Sequence, residues 1–485
     1  MTVKRLRFAP SPTGNLHIGS VRTAIFNWIW AKSLNAELVL RIEDTDAERS
    51  HRKYEDNIMA GLDWLGITFD EGPHQPKKGQ TYRQSERMAD HAYGASIQTL
   101  LDNGSAYYCF ETDAELDKER EQADNAGQPY MYSRKSLQYT PAEVQEKLAQ
   151  NHPYTIRFKV PQDQTIIIDD VVRQRIEFDA SLISDFIILK SDGCPTYNFA
   201  VVVDDHDMGI THVVRGEDHI SNTPKQQMIY NALGWDVPIF AHLPIILGTD
   251  RSKLSKRHGA TSVMDYQKDG FLPHVLVNYL SLLGWSPPEG KEILSLDELI
   301  ALFDVSRINK AGAVFDVVKL TWMNKQYLSK LTDAEFLSQV APYLTEPNRT
   351  MTKSSEKIIS VRDNVEFLSQ INDHLVIYSL TLEQFLERFH QLPFKKIERD
   401  VLTEIEHRLL ARKIAWTWDD LENLVTTVSD VMSIKKGVVM KALRKGITGF
   451  ESGPNLFECM LLIPHIQWVG RLESIMYGTR HQVID

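Results

Sequence analysis

The chain has 485 residues, too many for one hydrophobic core, so two to four domains are expected. Hydrophobic residues at 42% and charged residues at 25% mark a globular protein, and no apolar run is long enough to span a membrane. Three scattered cysteines exclude a disulfide scaffold and fit a reducing cytoplasm; the net charge of −11 excludes little, since nucleic-acid binding depends on a local basic face.

The first stretch with a shape of its own is Arg7-Phe8-Ala9-Pro10-Ser11-Pro12-Thr13-Gly14-Asn15-Leu16-His17-Ile18-Gly19-Ser20. It starts as a short apolar strand and breaks on two prolines and a glycine. It then runs into a helix on which Val21, Ile25, Trp28 and Ile29 recur at helical spacing. A strand, a tight loop and a helix N-terminus make a natural anion-binding corner. Neither the Gly-Lys-Ser/Thr ending of a Walker loop nor a glycine-rich dinucleotide turn is present. The corner offers an imidazole, His17, beside Gly19, which has no side chain to block close approach. Two readings stay open: His17 caps the helix, or it faces a phosphate.

Residues 38–42 read as a second strand ending in Glu43-Asp44-Thr45-Asp46, where open α/β sheets place their ligands. Glu43 there suits an amino group, while the same acids would also cap the helix expected at 54–65. The texture changes over 84–190. Helices at 92–103, 114–126 and 141–150 mix with strands at 106–110, 154–159, 165–169 and 186–189, as in an inserted α+β module. The α/β pattern resumes with a strand at 196–205 closing on Asp204 and Asp205, a strand at 210–214 and a helix at 224–233. Arg215 is a candidate for bidentate carboxylate binding; the alternative is a surface salt bridge with Glu217 or Asp218.

After a strand at 244–247, the loop from Thr249 to Gly259 carries Arg251, Lys253, Lys256 and Arg257. It is either a solvated basic loop or a flexible set of cations suited to a polyphosphate. From residue 264 the chain is expected to be mostly helical, with helices at 273–283, 296–303 and 317–331. Near the end, 435–445 reads as a helix with Val439, Met440 and Leu443 inward and Lys441, Arg444 and Lys445 outward. Such a basic face suits an RNA backbone or plain solvent equally.

Two of these stretches carry a family resemblance. His17-Ile18-Gly19-Ser20 resembles the HIGH signature of class I aminoacyl-tRNA synthetases, and Lys253-Leu254-Ser255-Lys256-Arg257 resembles their KMSKS loop. The flanking words Phe8-Ala9-Pro10-Ser11-Pro12-Thr13-Gly14, Arg41-Ile42-Glu43-Asp44-Thr45-Asp46, Pro195-Thr196-Tyr197-Asn198-Phe199 and Arg215-Gly216-Glu217-Asp218-His219 resemble the bacterial-type glutamyl-tRNA synthetases, in their cyanobacterial or plastid form, over essentially the whole chain. The resemblance implies an α/β fold with a Rossmann-type catalytic domain in two halves, 1–83 and 191–248. An acceptor-end-binding module (84–190) interrupts it. A stem-contact domain (249–328) and two all-α anticodon-binding domains (329–390 and 391–485) follow.

By the same resemblance the protein is a cytoplasmic monomer that activates L-glutamate with ATP and Mg²⁺ and passes the acyl group to the terminal adenosine of tRNA(Glu). His17, Gly19, Lys253, Ser255 and Lys256 fall on ATP positions, all but Ser255 in catalytic roles. Arg7, Ser11, Glu43, Tyr197 and Arg215 fall on glutamate-pocket positions, with Arg215 toward the side-chain carboxylate and Glu43 toward the amino group. Asn364, Lys435, Lys436, Lys441 and Arg444 are the tRNA-contact candidates.

The chain departs from the family in two places. Many members bind zinc through Cys-x-Cys and Tyr-x-x-x-Cys in the inserted module, but here Cys109 precedes Glu111 and Tyr132 precedes Ser136, so no structural zinc is expected. An ungapped reading also puts Asn364 where an arginine separates glutamate from glutamine tRNAs, which implies that tRNA(Gln) is charged too; a shift of two residues would put Arg362 there. The rival readings are a short tRNA-modifying paralogue, a glutaminyl enzyme, and a catalytically inactive tRNA-binding relative. The long helical C-terminus argues against the first two, and the intact signature loops against the third.

Overall fold

Strand β1 (Arg5–Phe8) is buried on both faces, as parallel strands covered by helices are. Helix α1 (Ile18–Leu34) crosses from it to the parallel strand β2 (Glu37–Leu40) and ends at Asn35 in the left-handed conformation, φ 50°. Val21, Ile25, Trp28 and Ile29 are all buried, as their spacing requires. This computed structural model describes residues 3–46, 48–255, 257, 262–410 and 416–477. It divides into two units: Met1–Tyr266 with Leu276–Asp316, and Gln267–Val275 with Val317–Asp485.

In the first unit, α2 (Arg52–Trp64) is followed by α3 (Gln84–Ala89), which has no counterpart in the sequence reading, and by α4 (Gly94–Asp102), the helix expected at 92–103. Next come β3 (Ala106–Cys109), α5 (Asp113–Asn125) and α6 (Pro141–Ala149). Both of these helices start on capping boxes, Thr112 with Glu115 and Thr140 with Glu143. Strands β4 (Thr155–Phe158), β5 (Thr165–Asp170), β6 (Gln174–Asp179) and β7 (Phe186–Leu189) complete the 84–190 segment. The second half adds α7 (Tyr197–Asp207), β8 (His212–Gly216), α8 (Thr223–Leu233) and β9 (Ile239–Leu243).

The main sheet runs β2-β1-β8-β9-β5-β6, parallel except for the antiparallel β5–β6 hairpin. The hairpin belongs to the 84–190 segment, yet it extends the main sheet through the pairing of Asp170 with Phe240. Ile156, Phe158, Ile166 and Ile168 of that segment share one core with Phe199 to Val203 of α7 and Met228 to Tyr230 of α8.

One expectation is overturned outright. Residues 196–205 form no strand; Thr196 is the N-cap of α7 and the rest lie within it. Every side chain from Phe199 to Asp205 is buried, so no polar face marks a helical period, and the Val201-Val202-Val203 run imitates a buried strand. Strand β9, by contrast, escapes sequence detection.

The Cys109 region is built from hydrogen bonds. The Glu111 carboxylate accepts from Ser136 Oγ at 2.7 Å, Tyr132 Oη at 2.8 Å and Cys109 Sγ at 3.0 Å, while Arg157 Nε donates to that sulfur at 3.2 Å. One thiol and one carboxylate do not fit a structural zinc. Among the described residues no group of three or more His, Cys, Asp or Glu is placed to hold a metal ion.

The second unit is helical. Its helix Lys436–Thr448 buries Val439, Ala442 and Leu443 and leaves Met440 half-buried. Lys445, expected to face outward, is 1% exposed, with Nζ 2.5 Å from the Pro393 carbonyl and 3.2 Å from Glu398. The sequence of this one helix could not reveal an acid on the helix Lys396–Leu410 waiting for that ammonium. Gly446, beside it, lets the two helices close up, since a Cβ there would sit 2.7 Å from Leu402 Cδ2.

Candidate active site

A cavity of about 1130 Å³ opens in the first unit where β1, β2 and β8 end and α1 begins. This is where a parallel sheet presents its loops to a ligand. Arg7, Ser11, His17, Gly19, Glu43, Tyr197, Arg215 and Lys253 all line it. Ser255 is not among the lining residues, Lys256 lies outside the described residues, and the candidates Asn364, Lys435, Lys436, Lys441 and Arg444 belong to the second unit.

At the α1 end, His17 is the N-cap: its Nδ1 accepts the Gly19 N–H at 3.1 Å. With the Nδ1 lone pair engaged, the neutral ring carries its proton on Nε2. The capping and phosphate readings therefore use different atoms of one imidazole. Among the described residues a Cβ at Gly19 would meet only His17 Nδ1, at 3.5 Å, an ordinary van der Waals contact. Ser262 bridges to His17, and the Val263 N–H donates to the Leu16 carbonyl at 3.1 Å, so the chain that follows the basic loop lies against this corner. Lys253 is exposed, its Nζ 3.7 Å from Asp218.

The floor is a buried set of charges. Arg41, fully buried, is 2.6 Å from Asp205, 3.1 Å from Glu43 and 3.7 Å from Asp204. Arg7 Nε adds a second cation 3.1 Å from Asp205, and Arg87 Nε a third, 2.6 Å from Asp204. Burial favours the acid form of Asp205, but Arg41 and Arg7 outweigh it and hold the group below its usual range. Glu43 differs: burial raises its pKa, and Arg41 and Arg7 offset that only in part. Glu43 is also the acid of this set that lines the cavity.

Arg215 on β8 is 5% exposed, and the surface salt-bridge reading fails. Glu217 pairs with Arg173, and Asp218 lies beside Lys253. Every hydrogen bond from Arg215 goes to a neutral group, Nε to His242 Nε2 at 3.0 Å and Nη2 to Thr223 Oγ1 at 2.8 Å. Its Nη1 is buried and finds no partner among the described residues. Burial without a carboxylate partner lowers its pKa. Tyr197 Oη stands 3.1 Å from His219 Nδ1, with burial raising the phenol's pKa and lowering that of His219 to about 4.

Sequence reasoning passed over Arg41, His219, His242 and Asp170. Arg41 stands two residues before Glu43, and its buried position at the end of a strand is the signal that could have found it. His242 had none, because β9 itself was unseen.

Residues 3–322 match the family described as tRNA synthetases class I (E and Q), catalytic domain, and residues 322–476 match an anticodon binding domain. A glutamate–tRNA ligase of Aquifex aeolicus is 44% identical over 469 residues, covering 96% of this chain and 97% of that protein. One from a Sulfurihydrogenibium species is 43% identical over 459 residues, covering 94% and 95%. A crystal structure of a glutamate tRNA ligase from Elizabethkingia meningosepticum, in complex with its amino acid, superposes with a TM-score of 0.89 at 32% identity, covering 98% of this chain and 99% of that one.

Proposed function

The chain belongs to the class I tRNA synthetases of the glutamate and glutamine group, and from that premise we propose how one cavity of its first unit carries out the reaction. The activity is glutamate–tRNA ligation, with ATP, glutamate and tRNA(Glu) as substrates; a catalytically inactive relative is not supported.

The observation that carries the assignment of roles is Arg215. A buried guanidinium held, among the described residues, only by neutral acceptors and with Nη1 unpartnered there favours an anion. The substrate's side-chain carboxylate supplies the missing charge and a hydrogen-bond acceptor, whereas a carboxamide leaves the cation uncompensated. Glu43 takes the amino group, whose positive charge favours its carboxylate form. Arg7, Ser11 and Tyr197 complete the seat. The triphosphate of ATP lies against the N-terminus of α1, with His17 donating through Nε2 and Gly19 leaving the backbone open.

A carboxylate oxygen of the seated glutamate then attacks the α-phosphorus and pyrophosphate leaves, followed by Lys253 and Lys256, with Ser255 in the same loop. The terminal ribose hydroxyl of tRNA next attacks the adenylate carbonyl and AMP departs. Mg²⁺ would enter with ATP, as part of that substrate, and would supply neutralisation of phosphate charge. The protein contributes position and electrostatics and no covalent nucleophile.

In the second unit, Lys435, Lys436 and Lys441 are exposed and take the tRNA backbone. Arg444 is half-buried, bonded to the Pro454 carbonyl at 2.7 Å, and serves more as a brace than the outward cation its helix position suggests. Asn364 is half-buried in a short turn, and the neighbouring Arg362 is committed to Asp333 at 2.8 Å. Both features favour relaxed charging of tRNA(Gln). Glutamylation of a tRNA(Gln) transcript tests this reading, and its failure rejects it. The protein acts as a monomer in the cytoplasm, which sedimentation and cell fractionation test. The roles in the seat are tested by the separate KM values of glutamate and ATP in Arg215 variants; equal effects on both reject them.

A further inference from the structure

Asp170, His242 and Arg215 lie on three neighbouring strands, β5, β9 and β8, and form one buried chain of hydrogen bonds. Asp170 accepts backbone N–H groups from Arg173 at 2.7 Å, Val172 at 2.9 Å and His242 at 3.1 Å, and it takes the His242 Nδ1–H at 2.6 Å. Although burial opposes ionisation, these donors hold Asp170 below the usual carboxylate range. Burial lowers the pKa of His242, so its ring is neutral, with its proton on Nδ1 and its lone pair on Nε2. That lone pair receives the Arg215 Nε–H at 3.0 Å.

The order of groups matters. A carboxylate directly against Arg215 would neutralise it and compete with the substrate, and an apolar group would leave the guanidinium free to turn. A neutral imidazole orients the cation without cancelling its charge, and Asp170, one residue further back, fixes the tautomer. We propose that His242 and Asp170 are positioning residues that set Arg215 to prefer a carboxylate over a carboxamide. The β5–β6 hairpin of the 84–190 segment is thereby part of the glutamate seat. The inference rests on the reading that Arg215 takes the substrate's side-chain carboxylate.

The test is steady-state aminoacylation by the full chain with a tRNA(Glu) transcript, measuring the KM values of glutamate and ATP separately in His242→Leu, His242→Gln, Asp170→Asn and Arg215→Met. For His242→Leu the glutamate KM rises about ten- to hundredfold and the ATP KM stays within about twofold. Gln can accept from Arg215 and donate to Asp170, so His242→Gln returns the glutamate KM to within about fivefold of wild type. Asp170→Asn gives a rise of about three- to tenfold, again in glutamate alone.

Equal losses in His242→Leu and His242→Gln, or parallel rises in both KM values, would overturn the proposal. If His242→Leu does not fold, Asp170→Asn decides, and an unchanged glutamate KM overturns it. Arg215→Met without effect on glutamate defeats the underlying reading. If Arg215→Met is selective while the His242 and Asp170 variants are silent, only the relay fails.

Discussion

Replacing Arg215 by methionine separates function from stability. The side chain keeps its length and loses its charge. Each charge-assisted hydrogen bond to a carboxylate contributes about 1.5–3 kcal/mol, so loss of a two-bond seat lowers kcat/KM for glutamate by roughly 10²- to 10⁴-fold. Stability should move the other way or not at all. The cation is buried, its pKa is lowered by that burial, and its partners are neutral. Exchanging such a charge for an apolar group is neutral or stabilising by about 1–4 kcal/mol. Initial-rate aminoacylation over glutamate and ATP concentrations, together with thermal melting followed by circular dichroism, measures both. The expected result is a steep rise in glutamate KM, an ATP KM within about twofold of wild type, and an unchanged or higher Tm. A lowered Tm with both KM values raised together would show that Arg215 serves the fold and would refute the reasoning.

Gly19→Ala should fold normally, since among the described residues the new Cβ meets only His17 Nδ1 at 3.5 Å. The ATP KM should rise about tenfold or more with little change in glutamate KM, as a kinetic comparison checks. Lys445→Met leaves Glu398 buried and unpaired and should destabilise the second unit by about 3–5 kcal/mol in urea unfolding of the full chain. Lys441→Ala should leave stability unchanged and lower the slope of log affinity for tRNA against log salt by about 1. His219, with a folded pKa of about 4, binds a proton on unfolding anywhere between that value and its ordinary pKa near 6.5. Stability should therefore fall as pH drops through that window and level off below it; urea titrations at several pH values should show a shallower decline in His219→Asn.

The corner from Arg7 to Ser20 was readable because its signals are local: two prolines, a glycine, a cap and a 3.6-residue apolar stripe. The Lys253 loop carries an equally local signal, a run of cations, of which Lys253 lines the cavity while Lys256 lies outside the described residues. Helix α7 was not readable, because burial on all sides erases the period that separates helix from strand. The charge set was only half visible. Asp204 and Asp205 stood out as carboxylates, but their partners Arg41 and Arg7 lie more than 160 residues away, and no short-range pattern links them. Lys445 misled because an outward helix position promises solvent only when no other helix carries a matching acid. The chain of hydrogen bonds from Asp170 through His242 to Arg215 spans three strands, one of them inside the 84–190 segment, so only the folded sheet brings it together.

Whether one cavity activates glutamate on ATP and rejects its amide is read out by amino-acid-dependent ATP–pyrophosphate exchange with tRNA(Glu) present. Glutamate should support exchange, and glutamine at the same concentration should support roughly 10³-fold less, the discrimination expected when a buried charged group is left unpaired. Comparable exchange with both amino acids, or none with glutamate, would contradict the account.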